Sequence, residues 1–113
     1  MAKQAKTAEV RELTDSEFES FIKEKNITII DFWAEWCMPC LIQGPIVEEL
    51  AQHYSGKIAF AKLNVDDNQV TSSKFKVLSI PTLLVFKNGQ MVERVVGTMP
   101  FESLKERLDK HLK

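Results

Sequence analysis

Ile27-Thr28-Ile29-Ile30-Asp31-Phe32-Trp33, followed by Ala34-Glu35-Trp36-Cys37-Met38-Pro39-Cys40, is the stretch that decides how this chain folds. The first seven residues are apolar at both alternating positions except Thr28 and Asp31, the pattern of a central strand covered on both faces. Beyond Cys37, residues Cys40, Leu41, Pro45, Ile46, Val47, Leu50, Ala51 and Tyr54 recur at helical spacing, and Ser55-Gly56 closes the run with a C-terminal glycine. Pro45 lacks the N–H that a helix interior uses, so a kink is expected there.

Downstream, residues 58–65 read as another strand, 66–75 as a short polar helix starting at an acidic residue, and 77–80 as an extended lead into Pro81. Residues 82–86 and 91–96 flank Asn88-Gly89, a pair that readily takes the positive φ of a type I′ hairpin turn. Pro100 then opens an amphipathic helix with Phe101, Leu104, Leu108 and Leu112 on one face; Phe75, Phe86 and Phe101 read as core. Upstream, Thr14-Asp15-Ser16-Glu17 fits a capping box ahead of the stripe Phe18, Phe21, Ile22. Residues 8–13 give a short edge strand and 1–7 a polar, flexible tail. The order β-α-β-α-β-α-β-β-α implies an α/β fold: a central mixed β-sheet flanked by helices on both faces, in a single domain over 8–113. Its βαβ units make parallel neighbours and its hairpin an antiparallel edge.

The chain has 113 residues, with fifteen Lys plus Arg against sixteen Asp plus Glu. So balanced a charge argues against an electrostatic nucleic-acid binder. No apolar run approaches the ~20 residues of a membrane span, and no apolar segment follows Lys3 and Lys6 as in a secretory leader, so a cytoplasmic location is expected.

Cys37 and Cys40 are the only cysteines. Placed between strand and helix, Cys37 meets the unpaired N–H groups and positive dipole end of a helix start, which favour a thiolate. A thiolate there attacks a disulfide, and a second thiol one helical turn on displaces the resulting mixed disulfide. Two blander readings are inert core cysteines and half a zinc site. Zinc needs three or four ligands, and His53 and His111 sit far along the chain with no second Cys pair, so no metal is expected. Asp31, a carboxylate in an apolar strand, is either a proton-exchanging group whose pKa burial raises or a satisfied buried polar residue. Lys62 either pairs with it across strands or snorkels at a strand end.

Taken together, Asp31 to Cys40, Pro45, Ala61-Lys62-Leu63-Asn64-Val65-Asp66, Ile80-Pro81-Thr82-Leu83 and Lys87-Asn88-Gly89 closely resemble the thioredoxin family, in order and in spacing. The resemblance covers the chain from about Val10 to Leu112. It implies the thioredoxin fold and a protein-disulfide reductase without a bound cofactor, taking electrons from a thioredoxin-reductase-type donor and passing them to disulfide-containing client proteins, most often as a monomer. It makes Cys37 the exposed attacking thiol and Cys40 the buried resolving thiol. Asp31 assists deprotonation of Cys40 through water, with Lys62 beside it. Trp36, Met38, Pro39, Ile80, Pro81 and Gly97 would contact substrate, with Ile80-Pro81 as the cis-proline loop, while Trp33 and Pro45 support the site. Four positions depart from the family pattern: Met38 stands where glycine is usual, Leu41 where a basic residue is common, and Leu78-Ser79 in place of a basic-glycine pair.

Two rival functions are compatible with the same residues. An oxidase or isomerase of the same fold would follow if Met38 raised the redox potential. A non-catalytic docking subunit would use the apolar rim of Trp36, Met38, Ile80 and Met99 and would need no thiols.

Overall fold

The computed structural model describes residues 9–113. Its elements are β1 (Val10–Glu12), α1 (Phe18–Phe21), β2 (Ile27–Trp33), α2 (Met38–His53), β3 (Ile58–Asn64), α3 (Gln69–Lys74), β4 (Thr82–Lys87), β5 (Gln90–Val96) and α4 (Phe101–Asp109). The expected tail at 1–7 lies outside the described residues. The sheet order is β1-β3-β2-β4-β5, with β1 and β2 parallel to β3, β4 antiparallel to β2, and β5 antiparallel to β4.

Helix length explains where the sheet changes direction. The sixteen residues of α2 span about 24 Å, enough to return the chain along the whole of β2 and start β3 parallel to it. The six residues of α3 span only about 9 Å against about 23 Å for the seven-residue β3, so the chain re-enters the sheet from the same end and β4 runs antiparallel. The antiparallel part therefore includes the β2–β4 pair as well as the expected hairpin. At the hairpin tip Asn88 (φ 54°) and Gly89 (φ 83°) take the left-handed conformations of the two-residue turn.

Alternation along β2 serves two cores. Ile27 and Ile29 pack with Val47, Leu50 and Ala51 of α2 and Leu104 and Leu108 of α4. Ile30 and Phe32 face Phe18, Phe21 and Ile22 on the other side, where Phe75 and Phe86 close around Phe18 with ring centroids 5.3–5.6 Å apart. Phe86 is fully buried, whereas Phe75 and Phe101 sit half-buried at the core margins.

Both short helices differ from the sequence reading. The capping box at Thr14 forms, with Glu17 Oε1 accepting from the Thr14 N–H at 3.2 Å, but it opens a 3-10 turn (Asp15–Glu17) before a four-residue α1. Expected at acidic Asp66, α3 starts instead at Gln69. Its free N–H groups are met from far away in sequence: Asp15 accepts from Val70 N–H (3.2 Å), Thr71 N–H (2.9 Å) and the Thr71 hydroxyl (2.6 Å). Asp66 is held in the preceding turn, donating its N–H to Asn64 Oδ1 at 2.9 Å. Residues of α2 turn differently from the sequence expectation too: Leu41 and Pro45 face solvent, while Gln43 is buried. The helix continues as one element through Pro45 to His53.

Candidate active site

Cys37 is the N-cap of α2, with extended backbone (φ −94°, ψ 102°), and its Sγ accepts a hydrogen bond from the Cys40 N–H at 3.2 Å. The first turn of the helix thus aims a donor at this sulfur, and the dipole of sixteen residues adds positive potential there. Both features favour negative charge on Sγ. Cys37 and Cys40 are joined as a disulfide with their Cα atoms 5.2 Å apart, so the two sulfurs are within bridging reach.

Exposure of Cys37 needs correcting. It is 4% exposed against 2% for Cys40, far from the clear contrast that the resemblance implies. In this disulfide form the crosslink holds Cys37 Sγ inward, 3.8 Å from the Ile80 carbonyl oxygen, in a small apolar cluster of Ala34, Cys37 and Cys40 with Trp33 and Ile80 packed against it.

The other expected residues fall into two groups. Around the disulfide lie Trp36, exposed and pinned by its indole N–H to Asp66 Oδ2 at 2.8 Å, exposed Met38 and Pro39 in the first turn of α2, and half-buried Ile80. The Ile80–Pro81 bond is cis, Pro81 is buried, and its carbonyl accepts the Gly97 N–H at 2.8 Å. Gly97 has φ 92°, a left-handed conformation that side chains beyond glycine rarely adopt. The second group, Asp31, Lys62 and Trp33, lies on β2 and β3, with Trp33 packed against the cysteine cluster. Asp31 shares the α2 side of β2 with Ile27 and Ile29, and Pro45 lies on the outer face of α2.

Asp31 and Lys62 are register partners on β2 and β3. Burial pushes the Asp31 carboxyl up to about 7 from its ordinary 3.8, opposed in part by the positive charge of Lys62. Asp31 Oδ1 meets no hydrogen-bond partner among the described residues. Lys62 stands opposite Asp31 in register, but its ammonium runs outward over the Trp33 ring, 4.9 Å from the centroid, to within 4.0 Å of Glu12 Oε2.

Sequence reasoning passed over Gln43. Its buried amide donates from Nε2 to the Met99 carbonyl (3.2 Å) and accepts the Met99 N–H at Oε1 (2.7 Å), tying α2 to the loop that follows Gly97. The available signal was its place on the inward face, three residues after Cys40 and four before Val47.

The family model for thioredoxin matches residues 9–110. The chain belongs to the thioredoxin family. It is 52% identical over 100 residues to thioredoxin from Staphylococcus aureus, in strains MW2 and COL alike, a match covering 88% of this chain and 95% of that one. Among solved structures, a mutant thioredoxin from Halobacterium salinarum NRC-1 superposes with a TM-score of 0.87 at 33% identity, covering 93% of this chain and 92% of the other. Membership carries the thioredoxin fold and the activity: a thiol-disulfide oxidoreductase that reduces protein disulfides by dithiol exchange through the Cys37–Cys40 pair. Among the described residues, no helix is long and apolar enough to cross a membrane.

Proposed function

We propose that Cys37 is the attacking thiol and Cys40 the resolving thiol, with Asp31 as the base for the second step. The observation that carries the assignment is the hydrogen bond from the Cys40 N–H to Cys37 Sγ at the N-cap of α2, which favours the thiolate on Cys37 rather than on its neighbour. The Cys37 thiolate attacks one sulfur of a client disulfide, forming a Cys37–client mixed disulfide and releasing one client thiolate. Cys40 then gives its proton to the Asp31 carboxylate, and its thiolate attacks Cys37 Sγ. The Cys37–Cys40 bond forms, and the second client sulfur leaves as a thiolate that takes up a proton. Two electrons pass from the chain to the client.

The remaining residues serve this exchange. Lys62 adds a positive charge beside Asp31 and Trp33 packs under the cysteines, while Pro45 supports α2. Trp36, Met38, Pro39, Ile80, Pro81 and Gly97 form the rim that holds the client chain. A thioredoxin-reductase-type enzyme restores the dithiol, and the chain works as a cytoplasmic monomer, one domain over 8–113, without a bound cofactor or metal. The test is turnover of insulin disulfides with dithiothreitol as donor: wild type reduces insulin and Cys37→Ser does not, whereas an active Cys37→Ser overturns the assignment. Equilibration with glutathione separates reductase from oxidase or isomerase, because a pair left mostly disulfide there is the stronger reductant.

A further inference from the structure

Three ionisable side chains stand in one row across the sheet. Glu12 of β1 is in register with Lys62 of β3, and Lys62 with Asp31 of β2. Paired residues put their side chains on the same face, so the row reads carboxylate, ammonium, carboxyl, with Leu83 of β4 as the uncharged neighbour beyond Asp31. The Leu13 N–H donates to the Lys62 carbonyl at 2.8 Å, which holds β1 at this register. One ammonium therefore lies between two acids and can close on only one of them at a time.

It closes on the outer one. The Lys62 ammonium lies within 4.0 Å of Glu12 Oε2 and over the Trp33 ring, whereas Asp31 Oδ1 has no hydrogen-bond partner among the described residues. Solvation gives the reason: the Glu12 side chain is 77% and that of Lys62 33% exposed, so the ammonium keeps water there and would lose it on moving in beside buried Asp31. The other charges on this side are acids too, since Glu35 after β2 and Asp67 after β3 line the cleft that Glu12, Trp33 and Lys62 share. From α2, Cys40, Gln43 and Val47 turn inward, and of these only Cys40 carries an ionisable proton once the disulfide is reduced. From α4, this face receives apolar Leu104 and Leu108.

We infer that Glu12 is a positioning residue for the resolving step: it holds the Lys62 ammonium at the outer end of the row and so leaves Asp31 free to take the Cys40 proton. The role rests on the reading of Asp31 as the base and adds to it what sets the strength of that base. An ammonium closed on Asp31 would stabilise the carboxylate and weaken its hold on a proton. With the ammonium engaged by Glu12, burial prevails and Asp31 keeps its proton into the neutral range.

The test is Glu12→Gln, an exposed substitution that keeps the size of the side chain and removes its charge, made both in the wild-type chain and in Lys62→Met. The Asp31 carboxyl is titrated by carbon NMR in the disulfide form at low ionic strength, where an exposed pair is least screened. In the otherwise wild-type chain the Asp31 midpoint is expected to fall by about 0.5 pH, and in the Lys62→Met chain to move by less than about 0.2. Release of insulin from the Cys37 mixed disulfide, followed in a single turnover, should show its pH profile displaced to lower pH by the same amount. Equal falls in the two backgrounds mean that Glu12 acts by its own field rather than through Lys62 and overturn the inference, as does no fall in either. A midpoint that falls while the release profile stays in place overturns it too. An Asp31→Asn chain whose release keeps the wild-type pH profile removes the base reading itself, and the inference with it.

Discussion

Asp31 and Lys62 stand opposite each other on neighbouring strands, yet the ammonium lies over Trp33 and near Glu12 while Asp31 Oδ1 stays buried without a donor among the described residues. A carboxyl left this way holds its proton into the neutral range, which suits a group that must accept a proton from a thiol and release it again.

That proton has a cost in stability whose sign is fixed. With a folded pKa of about 7 against an ordinary 3.8, Asp31 is more protonated in the folded chain between those values. Stability from this group is fully present below 3.8 and lost as pH rises through about 7. Asp31→Asn is therefore expected to raise unfolding free energy at pH 8 by about 2–4 kcal/mol and to flatten its pH dependence between pH 4 and 8. The same variant slows release of the client from the mixed disulfide by about tenfold or more near pH 7. Urea unfolding across pH checks the first effect and single-turnover insulin reduction the second; an unchanged pH profile contradicts the assignment.

Gln43 holds the Met99 backbone by two hydrogen bonds, so Gln43→Leu leaves a part-buried N–H and C=O unpaired. The expected loss is about 2–3 kcal/mol, read as a lower urea midpoint, with faster amide exchange at Met99. An unchanged midpoint would show that the loop is held by other contacts.

Asp15 caps α3 across the fold, and its carboxyl is pulled below its ordinary value: burial raises it, but hydrogen bonds from the Thr71 hydroxyl, Thr71 N–H and Val70 N–H outweigh that. Asp15→Ala is expected to cost about 1–2 kcal/mol at neutral pH. The difference from wild type should shrink as pH falls through the usual carboxylate range, because stability from a depressed acid is lost on protonation. Parallel thermal melts at neutral and acidic pH check both.

Local pattern carried much of this structure. The apolar run 27–33 announced a strand buried on both faces, Asn88-Gly89 a two-residue hairpin, and Cys37 a position at a helix start, because each depends on neighbours in sequence. What stayed hidden depends on distant partners. The cap of α3 comes from Asp15, and Gln43 is buried because Met99 lies against it. The direction of β4 follows from how far six residues can carry the chain, a property of packing geometry that residue types do not state. Leu41 and Pro45 matched a helical period yet point outward, since apolar identity alone does not tell a core face from an exposed one.

The most direct test of the account is trapping with Cys40→Ser. Incubated reduced with insulin and mapped by peptide mass spectrometry, it should accumulate a mixed disulfide joining Cys37 to an insulin cysteine, and Cys37→Ser should form no comparable adduct through Cys40. An adduct that builds on Cys40 in Cys37→Ser, with none on Cys37 in Cys40→Ser, would reverse the two roles and contradict the account.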